Sequence, residues 1–205
     1  MMNKTWIISF IVVAGLIVSG FFFFRAKPAI VNYPPPNNTI VAFGDSLVQG
    51  IGATEGNDFV SKLSSLVGLP ITNLGVSGNT TSDGLARLNQ VTELKPGIVI
   101  LLLGGNDYLK RVPVEQTFAN LNQMITTLQE NGAVVVLLGV RGGLLSDNFD
   151  KHFENLSKRG VLFVPNVLDG LINNRELMSD QVHPNDRGYE IIAAKIYPVL
   201  KKALP

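Results

Sequence analysis

The chain has no cysteine, two histidines and one tryptophan among its 205 residues. Without thiols there is no cysteine nucleophile, no disulfide staple, no thiolate zinc site and no lipidated cysteine near the amino terminus. The missing disulfides leave the compartment open, because a domain of this size needs none. Charge is also scarce. Charged residues make up 16% of the chain, and 17 Lys and Arg stand against 16 Asp and Glu, for a net charge of +1. So balanced a chain has no electrostatic footprint for a phosphate backbone, and nucleic acid is excluded as an expected partner. Apolar residues, by contrast, make up 46% of the chain. That is enough for a sizeable core and for something apolar carried outside it. The length suits one compact domain with a short appendage, and therefore one active site.

The appendage is amino-terminal. From Trp6 to Phe24 the sequence WIISFIVVAGLIVSGFFFF holds no charge. A helix of about 19 residues at ~1.5 Å per residue nearly spans a hydrocarbon core of roughly 30 Å. Lys4 precedes the run, and Arg25 and Lys27 follow it, so cations sit at both interfaces and specify orientation poorly. Residues 1–28 are therefore expected to be a single-pass membrane anchor. A signal peptide cut near Val18-Ser19-Gly20, giving a secreted protein, ranks lower because four phenylalanines would be left at the new terminus. The short tail ahead of the run favours an extracytoplasmic domain. Residues 29–38 include Pro34, Pro35 and Pro36 and are expected to form an extended, semi-rigid spacer. The folded domain is then expected over residues 39–205.

Within that domain, apolar runs of strand length recur at Ile40 to Phe43, Ile71 to Leu74, Ile98 to Leu103, Val134 to Leu138 and Val161 to Val164. Each reads as a strand buried on both faces. Between them, apolar residues recur at helical spacing: Phe59, Leu63, Leu66 and Val67; Leu85, Leu88 and Val91; Phe118, Leu121, Ile125 and Leu128. A last helix over Asp186 to Lys201 carries Ile191, Ile192, Ile196 and Leu200 on one face. Alternation of this kind predicts an α/β domain with parallel strands and right-handed crossovers. In such open sheets ligands bind beyond the carboxyl ends of the strands.

Those ends are where unusual residues collect. The first run is followed by Gly44-Asp45-Ser46-Leu47, a turn that can project a hydroxyl as a nucleophile. A serine nucleophile needs a base, and only His152 and His183 are on offer. His152 lies in a polar, helical-looking stretch and reads as an exposed surface residue. His183 lies in Ser179-Asp180-Gln181-Val182-His183-Pro184-Asn185, a loop feeding the last helix. Asp180 can accept one ring N–H of His183, leaving the other nitrogen to take the serine proton. The plainer alternative makes Asp180 and Asn185 helix caps. Acyl transfer also requires donors for an oxyanion. The second run leads to Gly78, whose backbone N–H can approach a substrate closely, and the third to Asn106, whose amide is a donor. Singly, each is an ordinary turn former.

Together, AFGDSLVQGIGA, NLGVSGNTTSDGLARL, LLLGGNDYL and DQVHPNDRGYEIIA resemble, in order, the four blocks of the SGNH (GDSL) hydrolases. The letters of the name fall on Ser46, Gly78, Asn106 and His183. The similarity covers residues 39–205 and is nearest to bacterial thioesterase I, arylesterase and lysophospholipase-like members. It implies a three-layer α/β/α sandwich with a five-stranded parallel sheet in flavodoxin-like order, and hydrolysis of carboxylic esters or thioesters without cofactor or metal. It also implies a triad of Ser46, His183 and Asp180, with the oxyanion held by the N–H groups of Ser46 and Gly78 and the amide of Asn106. Asp45 and Asp107 read as scaffolding that bonds nearby backbone. The glycine-rich segment from Gly139 to Leu145 departs from the family pattern. Leu109, Leu144 and Leu145 are candidate pocket residues.

The expected substrates are small acyl esters, thioesters or lysolipids, with no obligate protein partner. Two other readings compete: a deacetylase of cell-envelope carbohydrate, and a membrane-anchored binding module that has kept the fold without turnover.

Overall fold

The computed structural model describes residues 29–140 and 149–204. The expected anchor over residues 1–28, and the pocket candidates Leu144 and Leu145, lie outside the described residues. Among the described residues no helix is long and apolar enough to cross a membrane.

Five parallel strands form one sheet: β1 (Ile40–Gly44), β2 (Ile71–Gly75), β3 (Ile98–Leu102), β4 (Val134–Leu138) and β5 (Leu162–Val164). Their order is β2-β1-β3-β4-β5. Ile40 pairs with both Ile71 and Ile98, Ile98 pairs with Val134, and Val136 pairs with Leu162. The apolar runs thus lie side by side, which is the flavodoxin-like arrangement expected. β1, β3 and β4 are buried along their whole length. The two outer strands differ from the expectation of burial on both faces. Thr72 and Asn73 of β2 are exposed, and Leu162 and Phe163 of β5 are half-buried. An edge strand has a neighbour on one side only, and the apolar run alone does not reveal strand order.

Helix α1 (Ser46–Gln49) follows β1, and α2 (Phe59–Val67) completes the first crossover. α3 (Thr81–Ala86) and α4 (Asn89–Thr92) lead from β2 to β3, and α5 (Gly105–Leu109) and α6 (Val114–Glu130) from β3 to β4. α7 (Phe149–Ser157) precedes β5, and α8 (Asp186–Leu200) ends the fold. The sheet order reverses direction after β2. Right-handed crossovers therefore put α2 on one face and α3, α6 and α7 on the other. The packing agrees. Phe59 of α2 stacks on Tyr189 of α8 at 6.3 Å between ring centroids, and Phe118 of α6 meets Phe149 and Phe153 of α7 edge-on at 5.1 and 5.0 Å. Truncating a buried phenylalanine among these to alanine costs about 3–5 kcal/mol.

Local chemistry sets the helix starts. The Asp58 carboxylate caps α2 through the N–H groups of Val60 and Ser61, and Thr80 and Asp83 form a reciprocal capping box at α3. Asn185 caps α8 through Arg187 and Gly188. Two expectations change here. Leu66 is exposed on the solvent side of α2. His152 is half-buried rather than exposed, its ring stacked on Phe118 at 4.7 Å.

The proline-containing stretch lies against the amino ends of the strands. Val31 N–H donates to Gly160 O just ahead of β5, at 2.9 Å. The Asn32 amide donates to Gln129 O and Ala133 O ahead of β4, at 2.7 and 3.1 Å. Asn37 Oδ1 accepts from Gly97 N–H ahead of β3, at 3.0 Å. Ile30 packs against the core.

Candidate active site

Ser46 is the first residue of α1, carried by the turn that leaves β1. Asn106 stands at the start of α5, after β3. β1 and β3 are adjacent but connect in opposite directions, so a crevice opens between their carboxyl ends, where this sheet order places ligands. A cavity of about 320 Å³ fills it, lined among others by Ser46, Gly78, Asn106 and His183. The four motif residues, scattered along the chain, meet around one space.

Three side chains form a hydrogen-bonded line. His183 Nε2 lies 3.0 Å from Ser46 Oγ, across 137 residues of sequence, and His183 Nδ1 lies 2.7 Å from Asp180 Oδ2. The other carboxylate oxygen, Oδ1, accepts the N–H groups of Val182 and His183, both at 2.8 Å. The hydrogen bond from His183, then those from the backbone, pull the Asp180 carboxyl down to about 2. It is ionised at ordinary pH and can only accept, so Nδ1 carries the ring proton and Nε2 is free to accept from Ser46. The loop closes on itself, with Ser179 N–H donating to His183 O at 2.8 Å. Gly52 backs it: a Cβ there would stand 2.4 Å from Pro184 O and 3.2 Å from His183 Cβ. Asp180 is thus a turn residue fixing the imidazole, while helix capping falls to Asn185.

The oxyanion candidates face the same cavity. Gly78 has φ +78, a left-handed conformation that disfavours side chains, although a Cβ there would meet no neighbour. Among the described residues the N–H groups of Ser46 and Gly78 have no protein acceptor. The Asn106 amide donates one hydrogen to Asn79 O at 3.0 Å, which fixes its orientation and leaves the second free. Lys110 Nζ donates to Gly78 O at 2.9 Å, holding that turn from the solvent side.

Asp45 and Asp107 are buried and bond backbone, as read from the motifs. Asp45 Oδ1 accepts Leu47 N–H at 3.0 Å. Burial outweighs that bond and raises its carboxyl to about 7. Asp107 accepts the Thr81 N–H at 2.8 Å and the Thr81 hydroxyl at 2.5 Å, tying α5 to the start of α3. Among the described residues no group of three or more His, Cys, Asp or Glu could hold a metal ion.

The comparisons with known proteins bear on this arrangement. Residues 42–191 match the GDSL-like lipase/acylhydrolase family. The chain belongs to that family. As a GDSL-like acylhydrolase it is a carboxylic ester hydrolase, with relatives that act on esters and thioesters. It is 33% identical over 142 residues to an arylesterase of Vibrio mimicus, a match covering 65% of this chain and 71% of the relative. It is 28% identical over 171 residues to the thioesterase 1/protease 1/lysophospholipase L1 of Escherichia coli strain K12, covering 76% of this chain and 80% of that one. A crystal structure of TesA matches with a TM-score of 0.75 at 28% identity, covering 82% of this chain and 100% of the other.

The four motif blocks hold only part of the cavity's apolar wall, since Val140, Leu168 and Ile172 lie outside them. Leu47, Tyr108, Val140, Leu168, Ile172 and Val182 line it beside the expected Leu109, which is 59% exposed and forms rim rather than wall. Leu168 and Ile172 come from irregular chain after β5, where only their four-residue spacing hints at a shared face.

Proposed function

We propose that Ser46 is the nucleophile of a serine esterase or thioesterase, with His183 as base and Asp180 as its orienting acid. The line from Asp180 through His183 to Ser46 carries this reading. Ser46 Oγ attacks the acyl carbon as its proton passes to His183 Nε2. The tetrahedral oxyanion is held by the N–H groups of Ser46 and Gly78 and by the free amide hydrogen of Asn106. Collapse breaks the ester or thioester bond, and the departing alkoxide or thiolate takes the proton from His183. Water, deprotonated by His183, then attacks the acyl-Ser46 ester. The acid departs and Ser46 regains its proton. No step draws on a cofactor or metal.

An acyl chain fits this cavity better than a sugar. Among the described residues its apolar lining is Leu47, Leu109, Val140, Leu168, Ile172 and Val182, and apart from the proposed catalytic groups the polar side chains along it are those of Asp45, Ser77, Tyr108 and Gln181. Few groups are available to read carbohydrate hydroxyls. Wild type is expected to label with a fluorophosphonate and Ser46→Ala is not; a folded, unlabelled wild type would favour a binding module. Across acetyl esters, longer acyl esters, thioesters and acetylated glycans, kcat/KM is expected to rise with acyl length. Preference for acetylated glycan would overturn the acyl reading.

The proposal includes a membrane anchor over residues 6–24 and an extracytoplasmic domain, which protease added to intact cells is expected to digest. Residues 29–37 carry the chain to the amino ends of the strands, the pole opposite Ser46. Only residues 25–28 separate the apolar run from that docked stretch, a reach of at most ~15 Å. The mouth of the site therefore faces away from the anchoring bilayer. The full chain in vesicles is expected to hydrolyse a water-soluble ester as fast as the fragment beginning at residue 29, and an ester embedded in the same vesicle far more slowly. Equal rates on both would refute this orientation.

A further inference from the structure

Arg87, the residue that closes α3, reaches back across the carboxyl end of the sheet. Its Nε donates to Asn79 Oδ1 at 2.6 Å, Nη1 to Leu74 O at 3.0 Å and Nη2 to Gly44 O at 2.7 Å. The guanidinium lies over the Phe43 ring, 4.2 Å from its centroid. Among the described residues the cation forms no ion pair within bonding distance. It is spent on neutral oxygens, and desolvation lowers its pKa.

Each of those oxygens stands behind one of the donors assigned above to the oxyanion. Gly44 lies two residues before Ser46, and its carbonyl also accepts Val76 N–H at 3.0 Å, joining the β1 and β2 exits. Leu74 and Asn79 bracket the turn that presents Gly78. The Asn79 carbonyl, in turn, receives the Asn106 amide. One planar fork thus holds the backbone behind Ser46, Gly78 and, through Asn79, the orientation of Asn106. A lysine cannot replace it, because its donors radiate from one nitrogen and the three acceptors lie on separate segments.

We propose that Arg87 is a positioning residue for the reaction, setting the mutual spacing of the three oxyanion donors. This rests on the assignment of Ser46, Gly78 and Asn106 to that role. Displacing preorganised donors weakens transition-state binding more than substrate binding, so the loss falls on kcat.

The test is a double-mutant cycle on the full chain with an activated ester. Asn106→Ala should lower kcat about 100-fold. Arg87→Lys should lower kcat about 30- to 100-fold with KM changed less than about threefold, while fluorophosphonate still labels Ser46 slowly. Coupling is the decisive readout: in the Asn106→Ala background, Arg87→Lys should cost less than about fivefold more. Asn79→Ala removes one acceptor while keeping the carbonyl. It should lower kcat about fivefold to tenfold without loss of fold, so the proposal stays testable if Arg87→Lys unfolds. Near-wild-type kcat in Arg87→Lys, or losses that multiply with Asn106→Ala, would overturn the proposal. Full activity in Asn106→Ala alone would instead strike down the oxyanion assignment beneath it.

Discussion

The two ends of the sheet are built differently, although the same five strands make both. At the carboxyl ends the loops turn side chains towards a cavity, and Tyr108, Leu109, Ile172 and Val182 remain exposed around its mouth. At the amino ends the connections are sealed by backbone bonds and by Asn32 and Asn37. Among the described residues the first end leaves the N–H groups of Ser46 and Gly78 without a protein acceptor, while the second pairs those of Val31 and Gly97. The contrast follows from parallel strands, which gather every βα turn at one pole and leave the other for structural closure. Residues at the first pole should therefore govern rate, and residues at the second stability.

The hardest blow to this contrast would come from His183→Ala. Its kcat is expected to fall by about 10⁴-fold or more with little change in thermal midpoint, since a triad base contributes to the transition state and little to folding. Nearly intact turnover would assign the base wrongly. At the opposite pole, Asn32→Ala leaves two carbonyls without their shared donor. A stability loss of about 1–2 kcal/mol in urea unfolding is expected, with kcat unchanged; a fall in kcat would mean the poles are coupled.

Asp45 crosses the division, being a buried group beside Ser46 that titrates. Its carboxyl is raised to about 7, so between about pH 4 and pH 7 the folded chain holds a proton that the unfolded chain releases. Its contribution to stability is therefore lost as pH rises through that window. Asp45→Asn removes the titration, so its midpoint should gain on wild type from pH 5 to pH 8. A difference constant with pH would show that Asp45 does not titrate there. The smallest effect is expected from Leu109→Ala at the rim: a change in acyl-length preference of a few-fold at most, read as kcat/KM across an ester series. A larger shift would make Leu109 part of the wall.

Much of the carboxyl pole was legible in the sequence. With only two histidines, one of them three residues after a carboxylate, the choice of His183 was narrow, and Gly44-Asp45-Ser46 stood directly after an apolar run. The fold class followed from the alternation of those runs. What could not be read depends on partners distant in sequence. Nothing local says that β2 and β5 are edges, that Phe118 will lie over His152, or that Asn32 will reach the carbonyl of Ala133. Arg87 passed as one more letter in its block, because its three acceptors belong to segments the chain brings together only on folding. Tertiary packing, rather than pattern, decides such contacts.

The loop from Ser179 to His183 ties its own acid to its own base, through bonds spanning no more than four residues, before either meets Ser46. Imidazole and carboxylate therefore travel as one rigid unit. Motion of that loop leaves their mutual geometry intact and alters a single coordinate, the 3.0 Å separation from the serine hydroxyl. On the proposed roles of Ser46 and His183, readiness for turnover then reduces to one distance, bounded by the closeness with which Gly52 lets the loop approach.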